Sequence, residues 1–304
     1  MVFEKKVLSI QSHVVHGYVG NKAATFPLQC KGWDVDALNT VQFSNHPAYG
    51  FLSGFGCRSD DLERIIQDGL LSGLKIHYDA VLTGYLPDTE GLQKIGEVVS
   101  KMCDEDPHLK WILDPVLGDN GKLYVPEDTV DIYKQILKNG SIYLATPNQF
   151  ELEVLTGVDV LDLASLKEAL KRFHGLYPKV RYLVVTSVNW PASTENDCFV
   201  SACTDFTEYW YFTIPKIKAH FSGSGDLFSA IIMDLLLSSD TVQLPLALNK
   251  ALSLVDGVLR RTYDLTPKPA DAGHTLYKIN DLKIIQCKDL FRSCPEPKFT
   301  AYKL

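Results

Sequence analysis

The chain lacks a basic excess, a long apolar run and a nucleotide-fingerprint glycine loop, and each absence removes a class of function. Lys and Arg number 30 against 37 Asp and Glu, a net charge of −7. A nucleic-acid binder that neutralises a phosphate backbone needs the opposite balance. No run of about 18 apolar residues occurs, and the first residues, Met-Val-Phe-Glu-Lys-Lys, lack the apolar centre of a secretion signal. Membrane insertion and export are therefore not expected. The seven cysteines, at 30, 57, 103, 198, 203, 287 and 294, are odd in number and none stands in Cys-x-x-Cys spacing. That excludes paired zinc ligands and points to reduced thiols in a cytoplasmic protein, with nuclear presence also compatible. The first apolar run is followed by neither Gly-x-Gly-x-x-Gly nor Gly-Lys-Ser/Thr. Gly17 and Gly20 are too sparse for either, which removes nicotinamide oxidoreductases and P-loop enzymes.

What is present is an ordinary globular composition, 46% hydrophobic and 22% charged in 304 residues. Short apolar runs at 7–11, 35–43, 80–85, 111–117, 142–146 and 182–186 alternate with helical patterns at 20–31, 60–72, 89–103, 127–138, 149–156 and 163–174. This alternation predicts an α/β fold with a mostly parallel sheet covered on both faces. Runs at 198–203 and 209–214 predict an antiparallel edge, followed by helices at 224–238 and 244–263, a loop at 266–274, and a short helix with an extended tail. No linker or repeat interrupts the chain, so one domain over 1–304 is expected.

Ligands of such sheets bind beyond the carboxyl ends of the strands. Polar residues gather at six of those ends: Ser12 and His13, Ser44 to His46, Gly84 and Tyr85, Asp114 to Asp119, Thr146 to Glu151, and Thr186 with Ser187. The sharpest segment is Phe221-Ser222-Gly223-Ser224-Gly225-Asp226, opening an apolar helix. Free N–H groups of a first helical turn form an anion site, and glycine lets a phosphate approach closely. Asp226 beside that anion is either a base for an attacking hydroxyl or a complement to the helix dipole. Asp114 and Asp119 around Pro115 and Gly118 suit a divalent or alkali cation, or a plain turn. Asn148 and Glu151 fit a capping box, or the orientation of a hydrated magnesium. Tyr85 and Phe43 can stack on a planar ring or belong to the core. Eight histidines form no metal-spacing cluster, so His13, His16 and His46 read as wall residues or as supports behind the wall rather than as catalysts. Together these features propose phosphoryl transfer.

The sequence resembles the pyridoxal kinases of the ribokinase-like superfamily, the eukaryotic type above all, over nearly its whole length. The resemblance rests on the block from Gln11 to Gln29, on Val41 to His46, on Leu82-Thr83-Gly84-Tyr85, on Asp114 to Asp119, on Tyr124 to Asp128, on Thr146 to Glu151 and on Gly223 to Asp226. It implies a three-layer ribokinase-like sandwich and ATP-dependent phosphorylation of the 5′-hydroxymethyl group of pyridoxal, pyridoxine and pyridoxamine. Asp226 would be the base and Gly223, Ser224 and Gly225 the anion hole. Ser12, Val19, Phe43, Pro47 and Tyr85 would line the vitamer pocket. Asp114, Asn148, Thr186, Ser187 and Ser222 would contact ATP, with Tyr124 on a flap. Asp114, Asp119, Thr146 and Glu151 would serve Mg2+ and a monovalent cation, K+ or Na+. The resemblance also implies a homodimer. Two departures stand out: Pro47 replaces a threonine that bonds the substrate ring, and the flap between Asp119 and Tyr124 is brief. The alternatives are a kinase for a related hydroxymethyl heterocycle, such as the thiamine pyrimidine precursor, and a weakly active B6-binding paralogue.

Overall fold

The computed structural model describes residues 5–189, 198–239, 241–267 and 277–304. Strand β1 is Lys5–Val14, β2 Trp33–Phe43, β3 Gly54–Gly56, β4 Ala80–Thr83 and β5 Lys110–Leu113. A small hairpin follows, β6 Gly118–Asp119 with β7 Lys122–Leu123. Then come β8 Ile142–Ala145, β9 Tyr182–Val188, β10 Cys198–Thr204 and β11 Tyr209–Pro215. The last are β12 Ala219–Phe221, β13 Tyr277–Ile279 and β14 Tyr302–Lys303.

Ten strands form one sheet in the order β14-β11-β10-β9-β8-β5-β4-β1-β2-β3. From β9 to β2 all neighbours are parallel. Both edges are antiparallel, β10, β11 and β14 at one end and β3 at the other. The parallel strands are unbroken apolar runs because both faces are covered. Within β4 every residue is buried, with Val81 in one core cluster and Ala80 and Leu82 in the other. Strand alternation sends neighbours to opposite layers. Helices Thr89–Glu105, Asp128–Asn139 and Leu163–Leu176 cover the first face. Asn21–Cys30, Ser224–Leu237 and Leu244–Leu265 cover the second. Ser224–Leu237 is buried continuously from Leu227 to Asp234, as a helix enclosed on several sides must be. Helices on both faces of a mostly parallel sheet make the three-layer α/β sandwich that the resemblance implies.

The structure corrects some local expectations and adds detail to others; the strand placed at 80–85 ends at Thr83. The strand placed at 111–117 ends at Leu113, because Pro115 offers no N–H to a ladder. The brief flap is the hairpin β6–β7, turned by Asn120 (φ 51°) and Gly121 (φ 75°). Both positive angles fit a two-residue type I′ turn, for which Asn-Gly is the strongest short signal. The helix at 60–72 is α-helical for Ser59–Arg64 and π-helical for Ile65–Gly73. Strand β3 and the β12–β13 pair were not foreseen, being too short for periodicity to reveal. Of the loop at 266–274, residues 268–274 lie outside the described residues. No helix of the described residues is long and apolar enough to cross a membrane.

Candidate active site

A cleft of about 770 Å3 opens at the carboxyl ends of the parallel strands. It is lined by Ser12 from β1, Phe43 from β2, Tyr85 after β4, Asp114 after β5, Thr146 after β8 and Thr186 with Ser187 in β9. Val19, Pro47, Asp119, Tyr124, Asn148 and Glu151 complete its walls, and Ser222 to Asp226 its floor. The residues that the resemblance assigns to catalysis, vitamer, nucleotide and cation all line this one cavity, and so does His46, whereas His13 and His16 do not. A shared cavity brings them together without assigning their roles.

The floor is built by one glycine that cannot be replaced and one that leaves room. Gly223 precedes the helix with φ +81°, and a Cβ there would lie 2.0 Å from the Tyr18 carbonyl oxygen. Only glycine fits such a left-handed, crowded position. A Cβ on Gly225 would meet nothing within 4 Å. Open space in front of a helix N-terminus is ground an anionic oxygen can occupy. Asp226, half-buried, takes the Gly20 N–H; desolvation raises its carboxyl above the usual range, while that N–H and nearby His46 pull the other way.

Asp114 is buried beneath it, and burial together with the Asp226 charge pushes its carboxyl up to about 7. The Ser229 hydroxyl donates to Asp114 Oδ2 at 2.9 Å and pulls down in turn. Ser229 Oγ also lies 3.0 Å from Thr146 Oγ1. Sequence reading missed Ser229, although it stands three residues after Asp226 and so on the same helical face.

Glu151 is buried, and desolvation and Asp114 raise it well above the carboxylate range. Its Oε1 accepts the Leu117 N–H at 2.9 Å and the Gly118 N–H at 3.4 Å, and its Oε2 the Asn148 N–H at 2.8 Å. Asn148 Oδ1 accepts the Glu151 N–H at 3.0 Å, completing a capping box, and Asn148 Nδ2 donates to the Gly118 carbonyl at 2.8 Å. The pair therefore caps the helix Gln149–Thr156 and roots the β6–β7 hairpin. Ser187, at φ 55°, sits where the β9–β10 register slips, a bulge that re-aims side chains at the end of the cleft. Among the described residues no three His, Cys, Asp or Glu side chains gather as a metal cage.

Residues 63–272 match the sequence model of a family described as phosphomethylpyrimidine kinase. The chain is 50% identical over 294 residues to a putative pyridoxal kinase of Saccharomyces cerevisiae, covering 95% of this chain and 93% of that one. To the pyridoxal kinase of Homo sapiens it is 36% identical over 284 residues, 89% of each. The chain belongs to the pyridoxal kinase family. A pyridoxal kinase from Leishmania donovani, solved in complex with ADP and pyridoxine, superposes with a TM-score of 0.84 at 32% identity, covering 98% of this chain and 99% of that one.

Proposed function

We propose that the protein is an ATP-dependent kinase that phosphorylates the 5′-hydroxymethyl group of pyridoxal, and of pyridoxine and pyridoxamine. The observation that carries this reading is the Gly223–Asp226 floor facing Ser12, Val19, Phe43 and Tyr85 across one cleft, in a chain 50% identical to a putative pyridoxal kinase. Asp226 removes the hydroxyl proton, and the freed oxygen attacks the γ-phosphorus of ATP as ADP leaves. The N–H groups of residues 223–225 hold the transferring group. Asp114, Thr146, Asn148, Thr186, Ser187 and Ser222 face the nucleotide, with Tyr124 above it on the hairpin. Asp114 and Asp119 would hold a divalent cation such as Mg2+, which would supply positive charge to an acidic cleft. Glu151 shapes that site by holding Leu117 and Gly118. A monovalent cation beside Thr146, a cytoplasmic setting, a single domain over 1–304 and a homodimer complete the reading. The cation and the homodimer rest on the family resemblance, the cytoplasmic setting on the cysteine pattern, and the single domain on the lack of a linker or repeat.

The test is a coupled assay of ADP release with pyridoxal, pyridoxine, pyridoxamine and the hydroxymethyl pyrimidine alcohol. Turnover with the three vitamers is expected. Preference for the pyrimidine, which the description of the matching family model favours, would replace this reading. Vitamer binding without turnover would leave a carrier protein.

Pro47 yields a more local prediction. It lines the cleft, at the first position of a 3-10 turn Pro47–Tyr49. Proline has no donor, side-chain or backbone, for a substrate ring atom. Pro47→Thr is expected to lower the KM for pyridoxal about two- to twelvefold, the worth of one neutral hydrogen bond, with kcat barely changed. An unchanged or higher KM would place residue 47 away from the ring.

A further inference from the structure

Asp281 stands outside every role assigned above, where three loops around the cleft meet. Its Oδ2 accepts the Tyr49 hydroxyl and lies 3.5 Å from His16 Nε2. Its Oδ1 lies 3.9 Å from His46 Nε2 and takes no hydrogen bond among the described residues. The neighbouring Asn280 carbonyl is 2.8 Å from the same His46 nitrogen, and Lys278 Nζ donates to the Ala48 carbonyl. Gly17 lies against the carboxylate: at φ +99°, a Cβ there would come 2.5 Å from Asp281 Oδ1. Only a glycine lets Asp281 approach so closely.

These three loops also build the site. The loop after β1 carries Val19 and the Gly20 N–H that bonds Asp226. The loop at 46–49 puts Pro47 and Ala48 on the cleft wall. The segment ending in Asp281 begins as β13, which pairs with β12, and its Ile279 carbonyl accepts the Ser222 N–H next to Gly223. Only 20% of the Asp281 side chain is exposed, so its contacts escape much of the screening that weakens surface pairs.

We propose that Asp281, acting with Tyr49, is a positioning residue that holds the vitamer wall at 46–49 against the Gly223 helix start. It keeps the acceptor hydroxyl aligned with Asp226 and the phosphoryl group, where an ångström of misplacement is felt in the rate. The proposal rests on the kinase reading above, so wild type is measured alongside the variants.

The experiment compares wild type, Asp281→Ala, Tyr49→Phe and the double variant. Pyridoxal affinity is taken by calorimetry, and KM and kcat are measured for both substrates. Each single variant is expected to weaken pyridoxal binding and raise its KM about tenfold, with the KM for ATP changed less than about twofold. The double variant is expected to be no worse than Asp281→Ala, since the two act through one contact. An unchanged pyridoxal KM in both singles overturns the proposal, as does an equal rise in the KM for ATP, which marks general loosening. Should Asp281→Ala fail to fold, Tyr49→Phe, which removes a single hydroxyl, decides by the same criteria. A wild type that neither binds nor phosphorylates pyridoxal overturns the kinase reading and this role together.

Discussion

Asp226→Asn is expected to fold with an unchanged melting temperature or a slightly higher one, and to turn over about 10²–10⁴-fold more slowly. The amide keeps the volume and can still accept the Gly20 N–H that the carboxylate takes. It also relieves the charge that helps to raise Asp114. What it cannot do is take the hydroxyl proton. Because the wild-type carboxyl is raised by desolvation, kcat/KM should climb with pH through an apparent pKa above the ordinary carboxylate value, and the residual rate of the variant should lose that step. Binding of ATP and pyridoxal, measured separately, should change far less than kcat. A variant that keeps more than about half the turnover would remove Asp226 from the chemistry.

Removal of divalent cations is the second large effect. The cleft presents Asp114, Asp119, Glu151 and Asp226 to a nucleotide that is itself polyanionic, and among the described residues Lys122 is the one lysine or arginine on its lining. A chelator is expected to abolish turnover and added magnesium to restore it. Glu151→Gln then separates two roles for the buried carboxylate. Both its oxygens are engaged by backbone N–H groups, so an amide nitrogen would face a donor. Loss of such a bond amounts to about 1–3 kcal/mol. The expected outcome is a lower melting temperature with the magnesium titration midpoint unchanged. A raised magnesium requirement at unchanged stability would instead put Glu151 on the cation.

The features legible in the sequence were those with a period or a crowded motif. The central strands are runs of Val, Ile and Leu because both faces are covered, and the strand ends carry polar residues because a ligand edge demands them. That sufficed to bring Ser12, Asp114, Thr146, Thr186 and Asp226 to one cleft. What stayed hidden depended on partners distant in sequence. Ser229 reads as one more helical residue until Asp114 and Thr146 are found beside it. Asp281 reads as a surface acid until Gly17 and Tyr49 close on it. The β6–β7 hairpin has strands of two residues each, too short to show alternation, and only the Asn120-Gly121 turn marks it in the sequence.

The contact between Tyr49 and Asp281 spans 232 positions of chain. Closing so long a loop adds little to the equilibrium penalty, which grows only as the logarithm of length. In time it weighs more, because topologies rich in distant contacts fold slowly. Helices and neighbouring strands can form early, whereas the contacts of the 279–281 segment with residues 46–49 and 222 wait for the two ends of a long stretch of chain to meet. On the role proposed for Asp281, refolding is therefore expected to return secondary structure before it returns turnover.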